Sequence, residues 1–205
     1  MTGWTIAAAE LRIPRRTSFA AHKMVIVVDP DGRAVRQLNG LASWYDKTSG
    51  TWRHKPIGYL SSDRLRAYDT DAHPQTFLPM NGVAPRSRDV RAAMANGDVV
   101  SLSEPASGMD ADELQSAIFP ALSAIDRINA LSPGPHGGGG VRYPFLGLGI
   151  NSNSVFATLV EAMGFAPPTF ARPARLTPGS TRRLLGAQEI ASLRNRPRRG
   201  VPLSA

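Results

Sequence analysis

Not one of the 205 residues is cysteine. That absence constrains the chain more than any other feature: no disulfide can staple it, no thiolate can hold a structural zinc, and no thiol can serve as a nucleophile. The fold has to be held without covalent cross-links or thiolate metal sites. With 42% hydrophobic and 20% charged residues, a chain of this length can build one ordinary domain with a substantial core. The formal charge of +8 is unevenly spread: residues 170–205 carry eight arginines and one acid, Glu189, leaving 16 cations against 15 acids elsewhere. The expected organisation is a globular domain over 1–169 and a basic, Arg/Pro-rich tail over 170–205 with room for one short helix at 187–194. The tail has no aromatic interleaving after Phe170, so an acidic partner surface or a phosphate polymer is its candidate partner rather than a sequence-read nucleic acid. No run approaches the roughly 18 apolar residues of a membrane span, and the first residues lack the order of a secretory signal, which leads to the expectation of a soluble, cytoplasmic protein.

The run Met24-Val25-Ile26-Val27-Val28 is β-branched and ends in Asp29-Pro30-Asp31-Gly32, whose residues suit a tight reversal. This predicts a hairpin over 22–45. Short strands are expected near Trp52 and over 57–60, a short helix from Pro85 to about Gly97, and a strand over 99–102. Asp110 and Glu113 form an acidic capping pattern ahead of Leu114, Ile118, Leu122, Ile125 and Ile128 at helical spacing, predicting a helix over 110–130 that Pro120 kinks or divides. Residues 132–140 read as a flexible Gly-rich connector without the spacing or lysine of a phosphate loop, so no cofactor is assigned to it. A second helix is expected over 154–163, with Gly164 as its cap.

The candidate reaction centre is the turn Asn151-Ser152-Asn153-Ser154 at the start of that second helix, taken with His22 at the start of the hairpin. A helix N-terminus offers unpaired N–H groups and a positive dipole end, so a nucleophile there is activated and a developing oxyanion is stabilised. Ser152 is the candidate nucleophile and His22 the candidate general base. Gln37 or Asn39, on the strand paired with that of His22, is the candidate orienting group. Asn151, Asn153 and Trp44, the last clustered with Tyr45 and Trp52, are candidates for lining a substrate groove. The plainer reading is that Asn and Ser cap the helix and that the aromatics pack the hairpin. His54, His73 and His136 fall in predicted loops without metal-ligand spacing, so no metal is assigned.

The blocks Gly149-Ile150-Asn151-Ser152-Asn153-Ser154-Val155-Phe156 and His22-Lys23-Met24-Val25-Ile26-Val27-Val28 resemble circularly permuted papain-like hydrolases of the NlpC type, a superfamily that includes lecithin retinol acyltransferase-like and deSUMOylating-peptidase-like proteins. There a strand-borne His precedes an Asn-Cys-Asn-x-Phe motif at a helix N-terminus. The nucleophilic Cys falls on Ser152 here, and Phe156 stands one place after the family's aromatic position. The chain also resembles bacterial domains in which a Gly-x-Asn-Ser-Asn-Ser/Thr-Phe motif already carries Ser. The resemblance implies an α+β fold, a small antiparallel sheet bearing His22 packed against the helix that starts at Ser152. It further implies a hydrolase or acyltransferase acting on amide or ester bonds of peptides, protein conjugates or lipids. The alternative is a catalytically inactive relative that keeps the cleft for binding or assembly.

Overall fold

A computed structural model describes residues 3–13, 20–58, 60, 62–84, 86–103, 108–132, 139–144, 149–173 and 176–195. Among them the chain forms an α+β fold: a seven-stranded, mostly antiparallel open sheet and four α-helices. The expected hairpin forms from β2 (Ala20–Val28) and β3 (Ala34–Asp46). Its turn closes at Gly32, whose φ of +79° suits a residue without Cβ, and Asp29 Oδ1 accepts from Arg33 N at 2.8 Å.

The sheet is larger than the sequence suggested. β1 (Thr5–Ile13) pairs with β2 along its whole length, and the edge strand β6 (Val99–Ser101) pairs with β1. On the other side β3 pairs with β5 (Arg64–Asp69), which is followed at the edge by β7 (Val141–Arg142). β4 (Thr51–Lys55) forms around Trp52 as expected and pairs with the far half of β3. The described residues of 57–60 make no strand, because Asp63 holds them in a turn: Leu60 N donates to Asp63 Oδ2 at 2.8 Å and Asp63 N to Leu60 O at 3.1 Å.

β3 is 13 residues long and β2 is 9, and this mismatch shapes the site. β2 pairs with β3 only as far as Val25↔Leu38, while β4 takes up the same edge of β3 again at Ala42↔Lys55. Residues 39–41 of β3 therefore border a gap between β2 and β4.

Helices cover one face of the sheet. α2 (Ala111–Ala130) carries the expected Asp110–Glu113 capping box and buries Leu114, Ile118, Ile125 and Ile128. It continues through Pro120 undivided: the carbonyl left without a donor belongs to Ser116, an exposed residue, where water can satisfy it. α3 (Ser152–Ala162) starts two residues earlier than expected and ends at Gly164, whose φ is +83°. Together these helices meet Ile6, Ala8, Val25, Val27, Leu38, Leu65 and Ala67 of the sheet. The opposite face, with Ala7, Ala9, Met24, Ile26 and Val28, is covered by Met80, Val90 and Ala93. Ala93 lies on α1 (Arg91–Ala95), which is shorter than the helix expected from Pro85. Pro85 lies outside the described residues, and the chain before α1 is held off helical form by Arg86, at φ +67°, and by the bridge between Arg33 and Asp89.

The described residues from 170 to 195 pack into the main body rather than hanging free as the Arg and Pro content of this stretch suggested. Phe170, Leu185, Ile190 and Leu193 are all buried in the helix-side core. The short helix α4 (Ala187–Arg194) forms where expected and docks on α2 and α3. The arginines around it mask an apolar stripe of only two buried residues, Ile190 and Leu193, which is why composition pointed to an appendage. Residues 196–205 and most of the Gly-rich connector, including His136, lie outside the described residues. No helix among the described residues is long and apolar enough to cross a membrane.

Candidate functional site

The gap between β2 and β4 receives the N-terminus of α3. Gly40 makes the approach possible: a Cβ there would stand 2.6 Å from Val155 Cγ2 and 3.2 Å from Ser152 Cα. We expect Gly40→Ala to push α3 off the sheet and destabilise the fold by about 1–3 kcal/mol, as overpacking of a tight contact does. The midpoint of urea unfolding measures this, and an unchanged midpoint would mean that the helix can retreat freely.

Asn153 fastens the helix to β2. Its Oδ1 accepts from Lys23 N at 2.9 Å and its Nδ2 donates to Ala21 O at 2.9 Å. The side chain thus replaces β3 as hydrogen-bond partner of β2 on both sides of His22. Asn151 caps α3: its side chain accepts from Asn153 N at 2.8 Å, and Ser154 Oγ accepts from Asn151 N at 3.3 Å. A strap over residues 177–184 closes the turn from above. Asn151 Nδ2 donates to Pro178 O at 2.8 Å, Ser154 Oγ donates to Gly179 O at 2.9 Å, and Leu184 N donates to Thr158 Oγ1 at 2.9 Å. Asn151 and Asn153, expected to line a substrate groove, are both buried, and their amides bind main chain instead.

Ser152 is the first residue of α3 and is 5% exposed. Its side chain and backbone both lie against the phenol of Tyr143, which also meets the Gly58 backbone. Burial raises the Tyr143 pKa, its contacts with Ser152 and Gly58 pull the other way, and nearby Asp63 adds to the rise, so the phenol is neutral at pH 7. Asp63 is itself fully buried and pairs with Lys55 at 2.9 Å, whose ammonium lies 5.0 Å from the centre of the Trp44 ring. Trp44 therefore reaches the site through the chain Lys55, Asp63 and Tyr143, and packs as a cation–π partner. Tyr45 and Trp52 meet edge to face at 5.7 Å, and Arg66 stacks over Trp52 at 4.6 Å.

His22 is 2% exposed, and neither ring nitrogen makes a well-formed hydrogen bond among the described residues. Burial lowers its pKa from 6.5 to about 4, with the Pro56 carbonyl opposing the shift weakly, so the ring is neutral at pH 7. By strand alternation His22 shares the face of Met24 and Ile26, as do Gln37 and Asn39 on β3. Neither amide orients the imidazole, which corrects the role expected for them. Gln37 Nε2 donates to Leu78 O and its Oε1 accepts from Leu78 N, both at 2.8 Å, while Asn39 Nδ2 donates to Thr76 O at 3.1 Å. They tie the loop over 74–80 onto the sheet.

The structure thus brings Asn151, Ser152, Asn153 and the backbone at His22 together, and adds Tyr143, Asp63 and Lys55, which sequence reasoning missed. Tyr143 follows the Gly-rich connector and carries no periodic signal; only its burial after folding singles it out. His54 lies in β4, not a loop, with a ring nitrogen 3.1 Å from Gln75 O, and His73 stacks edge-on against Tyr68. No group of three His, Cys, Asp or Glu able to hold a metal occurs among the described residues. Comparison with protein-family models, curated proteins and solved structures finds no match for the chain.

Proposed function

We propose that Ser152 and His22 form the acyl-transfer centre of an amide or ester hydrolase, or of an acyltransferase, built on a circularly permuted papain-like fold of the NlpC type. The observation that carries this reading is His22 itself: a buried, neutral imidazole whose two nitrogens lack well-formed partners, one residue from the strand–helix clamp beside Ser152. A buried polar group left unsatisfied costs about 1–3 kcal/mol, and function is a reason for a fold to retain one. In the proposed step the His22 ring, which lies on the face of β2 away from the helix layer, reaches Ser152 through the gap between β2 and β4 and takes the Oγ proton as Ser152 Oγ attacks the carbonyl carbon of a peptide, conjugate or lipid ester. The new oxyanion meets the N–H groups at the start of α3, and His22 returns the proton to the leaving amine or alkoxide. Water, or a second acceptor in a transferase, then releases the acyl group. Tyr143 withdraws from Ser152 for substrate to enter.

Tyr143 also favours a second reading. Its phenol lies against the Ser152 side chain and the backbone at the helix start, where an oxyanion would need to sit. On this reading the domain is a catalytically inactive papain-like module for binding or assembly.

A fluorophosphonate probe separates the two. The active reading expects covalent labelling at Ser152, mapped by mass spectrometry, loss of labelling in Ser152→Ala, and at least about 100-fold slower labelling in His22→Gln. With the His22 pKa near 4, the labelling rate should hold down to about pH 5 rather than fall below pH 6.5. Failure of the folded wild-type protein to label leaves the binding module as the function.

A further inference from the structure

On the helix side of β2, opposite His22, lies a cavity of about 400 Å3. Part of its wall is apolar, with Phe156 and Val160 of α3 and Phe165, Pro167 and Pro168 from the loop that follows, and the rest is polar, with Ser180, Thr181 and the paired Glu161 and Arg183. One charged group stands out against them. Lys23 lines the cavity with its ammonium 5.4 Å from the centre of the Phe170 ring and makes no ion pair within 4 Å among the described residues. The other cation of the wall, Arg183, is already neutralised by its ion pair with Glu161. The acid opposite Lys23 across the β1–β2 pair is Glu10, which is 2% exposed and has an oxygen without a partner among the described residues. Burial raises the Glu10 carboxyl and lowers the Lys23 ammonium, so neither group fully satisfies the other.

An ammonium held by an aromatic ring, without an ion pair, at the border of an apolar cavity has the chemistry to capture an anion that carries an apolar body. Wall and charge together select the ligand. A free phosphate would leave the apolar walls facing water, and a neutral hydrocarbon would leave Lys23 desolvated without compensation. We propose that this cavity is a binding site for a small amphipathic carboxylate, an acyl or aryl acid, with its carboxylate on Lys23 and its apolar part against Phe156, Val160 and Phe165. The proposal does not rest on the Ser152–His22 chemistry: Lys23 and His22 point to opposite faces of β2, and the site needs no catalysis.

The test is calorimetric titration of the full chain with octanoate and, as a neutral match, octan-1-ol. Octanoate is expected to bind with a dissociation constant of about 1 mM or tighter, and octan-1-ol about tenfold more weakly or worse. Lys23→Gln should weaken octanoate at least about tenfold and leave octan-1-ol unchanged. The Asn153 bond to Lys23 uses the backbone N–H, so the substitution keeps the strand clamp. Thr181→Trp, at an exposed position on the cavity rim, should exclude both ligands without touching the core, and serves if Lys23→Gln fails to fold. The proposal is overturned if the folded wild type binds no octanoate, if octan-1-ol binds equally well, or if neither variant changes the titration.

Discussion

Asn153→Ala lowers the free energy of unfolding by about 3 kcal/mol, the expected outcome of removing a buried amide whose partners have nowhere else to turn. The Lys23 N–H and Ala21 C=O lie on an edge of β2 that β3 has already left, so alanine leaves a donor and an acceptor buried without partners. Pro178 O loses a second bond at 3.2 Å but keeps the one from Asn151. Urea unfolding followed by circular dichroism measures the change. A loss below about 1 kcal/mol would show that water enters the gap and substitutes for the amide, which would remove the clamp from the account of how α3 is held.

The second large effect is on pH. The folded His22 titrates near 4 and an unfolded one near 6.5. Between these values the unfolded chain binds a proton that the folded chain refuses, so stability rises with pH across this window. His22 alone therefore makes the fold about 3 kcal/mol less stable at pH 4 than at pH 7. Glu10 has the opposite sign: its raised pKa means the folded state holds a proton more tightly, and that contribution fades as pH rises through the folded value. Comparing wild type with His22→Gln removes the Glu10 contribution, because both proteins share it. The wild-type slope of stability against pH between 4 and 7 should be the steeper of the two, and equal slopes would mean that the imidazole is solvated after all.

Where elements were legible in the sequence, the local signal and the tertiary role agreed. The β-branched run before Asp29-Pro30-Asp31-Gly32 needs no partner to declare a hairpin, and the Asp110–Glu113 box with its apolar spacing declares α2. The strand β1 failed this way: it is covered on both faces and paired on both edges, so it shows no alternation, and its three consecutive alanines have no strand preference of their own. β5 alternates Leu65 and Ala67 with Arg66 and Tyr68, but the polar positions meet Gly139 O and Ser43, contacts far away in the chain. For the candidate site, the helix-start turn was legible because a cap is a local device, and the Asn-Ser-Asn-Ser run announces one. What Asn153 and Tyr143 grip was not, since it depends on where β3 departs from β2. The same is true of Gln37 and Asn39, whose strand position was correct and whose hydrogen bonds went to a loop.

The clamp at Asn153 joins positions 130 and 132 residues apart in the chain. Closing so long a loop costs entropy before any contact rewards it, which places this junction late in folding and slows the whole domain. During synthesis the hairpin of β2 and β3 emerges long before its helix, and the main chain at Ala21 and Lys23 stays open to any other strand until Asn153 arrives. A ribosome-bound intermediate of this protein thus exposes an edge that Asn153 closes in the finished molecule.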